Sequence, residues 1–110
     1  MRSPAPDSLV AIKGALAGIM HVQQSAGMSR EEAVKFAAGN ISPRLAIQLS
    51  RKPLKPRTVE EWLDRYGGKF AEKSAGRQGY LTWSRREAVT AEKLREITER
   101  MANTLPATWR

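Results

Sequence analysis

Few side chains in this sequence have both the type and the spacing needed to make or break a bond. The 110 residues contain one histidine, His21, and no cysteine. A lone imidazole cannot build a multi-histidine metal site or a histidine-rich acid/base arrangement, and without thiols there is no thiolate zinc site, no thiol nucleophile and no disulfide. His21 stands near the end of an apolar helical stretch, where the helix dipole favours an imidazole for ordinary structural reasons. Glu60 and Asp64 lie one helical turn apart, a spacing compatible with paired carboxylates and equally with a solvated helix face. Gly67-Gly68-Lys69 has the residue types of a phosphate loop. It lacks the Gly-x-x-x-x-Gly-Lys-Ser/Thr spacing and follows a helix instead of a strand. No nucleotide fingerprint or serine-hydrolase elbow occurs. The chain is therefore expected not to be an enzyme and to carry neither metal nor cofactor.

Positive charge is the chemistry the chain has in excess. The formal net charge is +8 and the isoelectric point about 10.5, which points to a polyanionic partner or to a solubilising surface. The excess is unevenly placed. Residues 51–58 carry +4 from Arg51, Lys52, Lys55 and Arg57, residues 59–66 carry −2, and residues 67–86 return to +4, whereas residues 87–110 are neutral. Two basic segments thus flank one short acidic helix. The first is expected to contact phosphates through Arg51, Lys52, Lys55 and Arg57, held extended by Pro53 and Pro56. Lys69, Lys73, Arg77, Arg85 and Arg86 would supply a second patch. Tyr80 and Trp83 lie inside it and can stack on exposed bases, or else anchor the core.

Helices must position these groups. Leu9, Ile12, Leu16, Ile19 and Met20 follow helical spacing after Asp7 or Ser8, and Gly27 supplies a left-handed stop. Ser29 with Glu32 forms a capping box that opens a second helix, which ends at Gly39 and Asn40. Ser42 followed by Pro43 starts a brief third helix. The prolines of residues 52–56 then force an extended basic connector. Thr58 with Glu61 forms another capping box, and Val59, Trp62, Leu63 and Tyr66 recur as one apolar face before Gly67-Gly68. Residues 67–83 contain four glycines, and are expected to be a loop with a helical turn around Phe70 and a short strand at Tyr80 to Thr82. Thr90, or Ser84 with Glu87 earlier, caps a final helix carrying Leu94, Ile97, Met101 and Leu105, with Glu96 and Arg100 paired, until Pro106 ends it.

The fold expected is all-α, a bundle of about five helices in one domain over residues 7–110, behind a disordered lead-in at 1–6. No run is apolar for the length of a membrane span, and residues 9–22 lack the features of a secretory signal. A cytoplasmic protein without membrane contact is the expectation, and a homodimer would add to its modest core.

Residues 55–67, KPRTVEEWLDRYG, resemble the second helix of helix-turn-helix DNA-binding domains in phage regulators and transposase-type proteins. Residues 28–38, MSREEAVKFAA, are similar to their first helix. The resemblance implies a duplex-DNA-binding regulatory or accessory factor of a bacterium or mobile element. Arg57 and Thr58 would sit at a groove-facing helix N-terminus, with Trp62 and Tyr66 in the core. The competing class is a protein-interaction module, such as an antitoxin-like or phage-encoded inhibitor, docking through the Glu60, Glu61 and Asp64 face.

Overall fold

A helix that is apolar on every side belongs at the centre of a fold, and the first helix meets that condition: every residue from 14 to 20 is buried. In the computed structural model, which describes residues 7–50, 54–68 and 73–105, six helices follow in order. They are α1 (Asp7–Ser25), α2 (Arg30–Gly39), α3 (Pro43–Leu49), α4 (Pro56–Gly67), α5 (Ala75–Trp83) and α6 (Ala91–Thr104). No strand occurs among the described residues, and no described helix is long and apolar enough to cross a membrane. The expected lead-in at 1–6, the turn around Phe70 and the stop at Pro106 lie outside the described residues.

Helices α2, α4 and α5 pack around α1, while α6 packs on α3. The closest approach is between α1 and α5. A Cβ placed on Gly14 would lie 1.7 Å from the Gly76 carbonyl oxygen, and one on Gly79 would lie 2.3 Å from the Ala11 carbonyl oxygen. The two backbones therefore touch through glycines. This corrects the expectation of a loop and short strand over residues 67–83. Residues 75–83 are helical, and the Ser74 hydroxyl caps them by accepting the Arg77 N–H at 3.1 Å. Each glycine costs roughly 1 kcal/mol of helix propensity against alanine, but the missing side chain of Gly79 permits contact with the central helix, and that of Gly76 makes room for the Tyr66 ring, 2.3 Å from where its Cβ would lie.

The other helix ends show which local signals survive tertiary contact. At α2 the expected capping box is complete. Ser29 Oγ accepts the Glu32 N–H at 3.1 Å, and the Glu32 carboxylate accepts the Ser29 N–H at 2.9 Å. The Ser29 N–H, and secondarily the Ser29 hydroxyl, hold the Glu32 carboxyl below its ordinary pKa. Gly27 has φ 120°, the left-handed conformation expected after α1. Thr90 caps α6 by accepting the Lys93 N–H, and the earlier start at Ser84 with Glu87 does not occur, since α6 begins at Ala91.

Two expected caps are replaced. Helix α4 begins at Pro56, two residues before Thr58, and its N-cap Lys55 makes no side-chain cap bond. Proline at the first position fixes the backbone angle that starts the helix, so Thr58 falls within the first turn. Ser42 does precede α3, but it makes no cap bond. Its N–H donates to Thr98 Oγ1 at 2.9 Å and its hydroxyl donates to Glu99. The serine thereby ties α3 to α6. A further tie comes from Gln23, which is 3% exposed. Its amide donates to the Val89 carbonyl at 3.0 Å and accepts the Val89 N–H at 2.8 Å.

The core contains the apolar face expected for α4, with Val59, Trp62, Leu63 and Tyr66 all buried. Leu94, Ile97 and Leu105 are buried as expected, and Met101 is half-buried. Helices α2 and α4 lie against each other, with the whole of α3 between them in sequence.

Candidate nucleic-acid interface

The expected contact residues divide according to what the fold has already paired. Lys55 and Arg57 are exposed at the start of α4, with Thr58 half-buried beside them. Neither cation forms an ion pair among the described residues. Arg51 and Lys52, which precede them in the sequence, lie outside the described residues, as does Lys69.

Acidic side chains would repel a phosphate backbone, and α4 carries three. Two of them face α2. The Arg30 guanidinium donates from Nε to Glu60 at 2.9 Å and from a terminal nitrogen to Asp64. Glu60 and then Asp64 raise the Arg30 pKa further, so the guanidinium stays charged. Such exposed pairs stabilise a fold by no more than about 1 kcal/mol. Their electrostatic effect is larger, because one arginine offsets much of the negative charge that phosphates would meet. Glu61 remains exposed and, among the described residues, unpaired. Arg30, Lys35 and Arg57 line a shallow groove between α2 and the start of α4, although Lys35 also pairs with Glu31.

The second basic segment does not form one patch. Arg77 turns inward and donates to the carbonyls of Tyr66, at 2.7 Å, and Gly68, at 3.1 Å. It thus satisfies backbone acceptors left open at the C-terminus of α4, and its guanidinium lies 5.2 Å from the centre of the Tyr80 ring. Tyr80 is only 8% exposed, with its ring edge-on to His21 at 5.8 Å. It is a core anchor with no open face for a base. Trp83 differs, being half-buried, with the Arg86 guanidinium 4.2 Å from its ring centre. Lys73 and Arg85 are exposed, and neither has an ion pair among the described residues.

Sequence reasoning passed over Lys13 and Arg65. Lys13 Nζ lies 5.8 Å from the Trp62 ring centre. Burial, and secondarily the charge of Arg65, lower its pKa. Arg65 could have been found from its position two turns after Arg57, on the exposed side of the same helix. Lys13 gave no such signal, because it interrupts an apolar run and reads as a solvated break. Also missed was a groove of about 500 Å³ between the end of α5 and α6, with Trp83, Ile97 and Met101 among its walls. Among the described residues no group of three histidine, aspartate or glutamate side chains could hold a metal ion. No family model, curated protein or solved structure matches this chain.

Proposed function

We propose that this protein binds nucleic acid, with duplex DNA as its partner, and acts as a small regulatory or accessory factor. The observation that carries this reading is the asymmetry of α4. Its start presents Lys55 and Arg57, unpaired among the described residues, while Arg30 occupies the carboxylates of Glu60 and Asp64. Arg51 and Lys52 extend the same basic run in the sequence. In the helix-turn-helix reading, Arg57 and Thr58 stand at the groove-facing start of α4, where Lys55 and Arg57 each hold a phosphate. The rival reading, docking of a protein on Glu60, Glu61 and Asp64, loses two of its three carboxylates to Arg30.

The test is fluorescence anisotropy of a labelled duplex of arbitrary sequence across a salt series. Affinity should fall steeply with salt through counterion release, and each phosphate contact removed should lower the logarithmic slope by about 0.9. Lys55→Ala with Arg57→Ala should therefore weaken binding and flatten that slope by roughly 2, with unchanged helical circular dichroism. No binding by the wild type even at low salt would defeat the proposal. Wild-type affinity in the double variant would remove these two residues from the interface.

A further inference from the structure

The groove between α5 and α6 combines two features seldom adjacent on a surface. Its floor is apolar, built from Trp83, Ile97 and Met101, and its rim carries Arg86, Lys93 and Arg100. Glu87 also lines it, and Glu96 pairs with both Lys93, at 3.7 Å, and Arg100, at 3.0 Å. One carboxylate shared between two cations leaves the rim positive, and the exposed Arg85 adds to it. An occupant complementary to this surface has an uncharged planar body and an anionic backbone.

We propose that this groove receives an unpaired base of a single-stranded nucleic acid. The base stacks on the Trp83 and Arg86 platform, while Lys93 and Arg100 take the neighbouring phosphates. Aromatic rings and guanidinium planes are the usual stacking surfaces for unpaired bases, because every base presents a π-face whatever its identity. Arg86 lies over the indole at 4.2 Å, so the platform carries positive charge. Trp83 also borders a second shallow groove, along α1 and α5. A base inside an intact duplex is covered by its stacked neighbours and cannot reach such a ring. This inference rests on the nucleic-acid reading and adds a second mode to it, in which the start of α4 meets duplex backbone and the α5–α6 groove selects unpaired strand.

The experiment compares the full chain with its Trp83→Ala, Trp83→Phe and Arg86→Ala variants, each checked for helical circular dichroism. The probes are a labelled oligothymidylate and a labelled duplex, at matched salt. Stacking on an aromatic side chain predicts that Trp83→Ala loses roughly 10-fold or more in affinity for the single strand. Trp83→Phe should recover much of that loss, and duplex affinity should stay within about 2-fold of wild type. Should Trp83→Ala fail to fold, Arg86→Ala serves in its place, because Arg86 is exposed; it should weaken single-strand binding more than duplex binding. Equal losses on both probes, or no loss on the single strand, would overturn the groove assignment while leaving duplex binding intact. Binding of neither probe by the wild type would overturn the nucleic-acid reading itself. Saturable quenching of tryptophan fluorescence by an acidic peptide in the wild type and not in Trp83→Phe, with none by the oligonucleotide, would reassign the groove to a protein partner.

Discussion

Gly14→Ala puts the sign of a stability change at stake. In a helix exposed to solvent, alanine is better than glycine by about 1 kcal/mol, so a substitution chosen on propensity alone should stabilise. At residue 14 the new methyl would lie 1.7 Å from the Gly76 carbonyl oxygen and 2.7 Å from the Gly76 Cα, both backbone atoms that cannot rotate away. Real Cβ contacts essentially never fall below 3.0 Å, so α1 and α5 must separate by more than an ångström. A gap of only about 0.5–1 Å already forfeits a quarter to a half of the dispersion energy of each contact along the crossing, and this one is wider. Overpacked cores typically lose 1–3 kcal/mol, and a clash against backbone atoms belongs at the top of that range, from which the gain in propensity is subtracted. The net expectation is a loss of about 2 kcal/mol, or roughly 8–15 °C in Tm for a domain near this size. Gly39→Ala is the control, because Gly39 closes α2 with nothing within 4 Å of its added methyl; it should be neutral or stabilising by up to about 1 kcal/mol. Urea denaturation followed by circular dichroism and tryptophan fluorescence measures both. A Gly14→Ala protein as stable as wild type would show that the two backbones do not meet there.

Trp62→Ala should cost roughly 3–5 kcal/mol, the range for deleting a large buried aromatic side chain, since the ring is 6% exposed in the core face of α4; a nearly unchanged Tm would remove it from the core. Glu99 gives a pH-dependent test. Its carboxylate accepts bonds from the Ser42 hydroxyl and the Arg44 guanidinium, which hold its pKa below the ordinary value. A carboxyl so lowered contributes stability that is fully present above the ordinary glutamate pKa and is lost as pH falls through the folded-state value. Glu99→Gln should therefore be less stable than wild type at neutral pH, and the two should converge in acid. A gap between them that does not change with pH would rule out this linkage.

Much of the architecture is legible from local signals because those signals do not depend on distant residues. The Ser29 and Glu32 box, Gly27, Thr90 and the α4 stripe from Val59 to Tyr66 act within one or two turns, and the structure keeps them. Helix α5 is not legible that way. Gly76 and Gly79 read as breakers because their advantage exists only in the folded protein, where the Tyr66 ring of α4 lies against Gly76 and the α1 backbone at Ala11 lies against Gly79. Ser42 misleads for the same reason, since its hydroxyl is spent on Glu99 of α6. The candidate interface divides along similar lines. Charge density pointed to Lys55 and Arg57, but nothing local reveals that Arg77 turns inward to the α4 carbonyls or that Arg30 reaches across to α4. Tyr80 and Trp83 stand three residues apart on one helix, and only packing separates a buried anchor from an accessible ring.

The crossing of α1 on α5 also bears on how the chain is made. Helix α1 leaves the ribosome as an apolar segment whose principal backbone partner, around Gly76, has not yet been synthesised. At ordinary elongation rates the delay is roughly 3–12 s, very long beside the microseconds in which a helix forms or a short chain collapses. Most helical stability in proteins comes from tertiary packing, and α1 has little of it until α5 arrives. The segment that becomes the most buried part of the protein is thus the one that waits longest for its cover, and the nascent chain is at its most adhesive until α5 emerges.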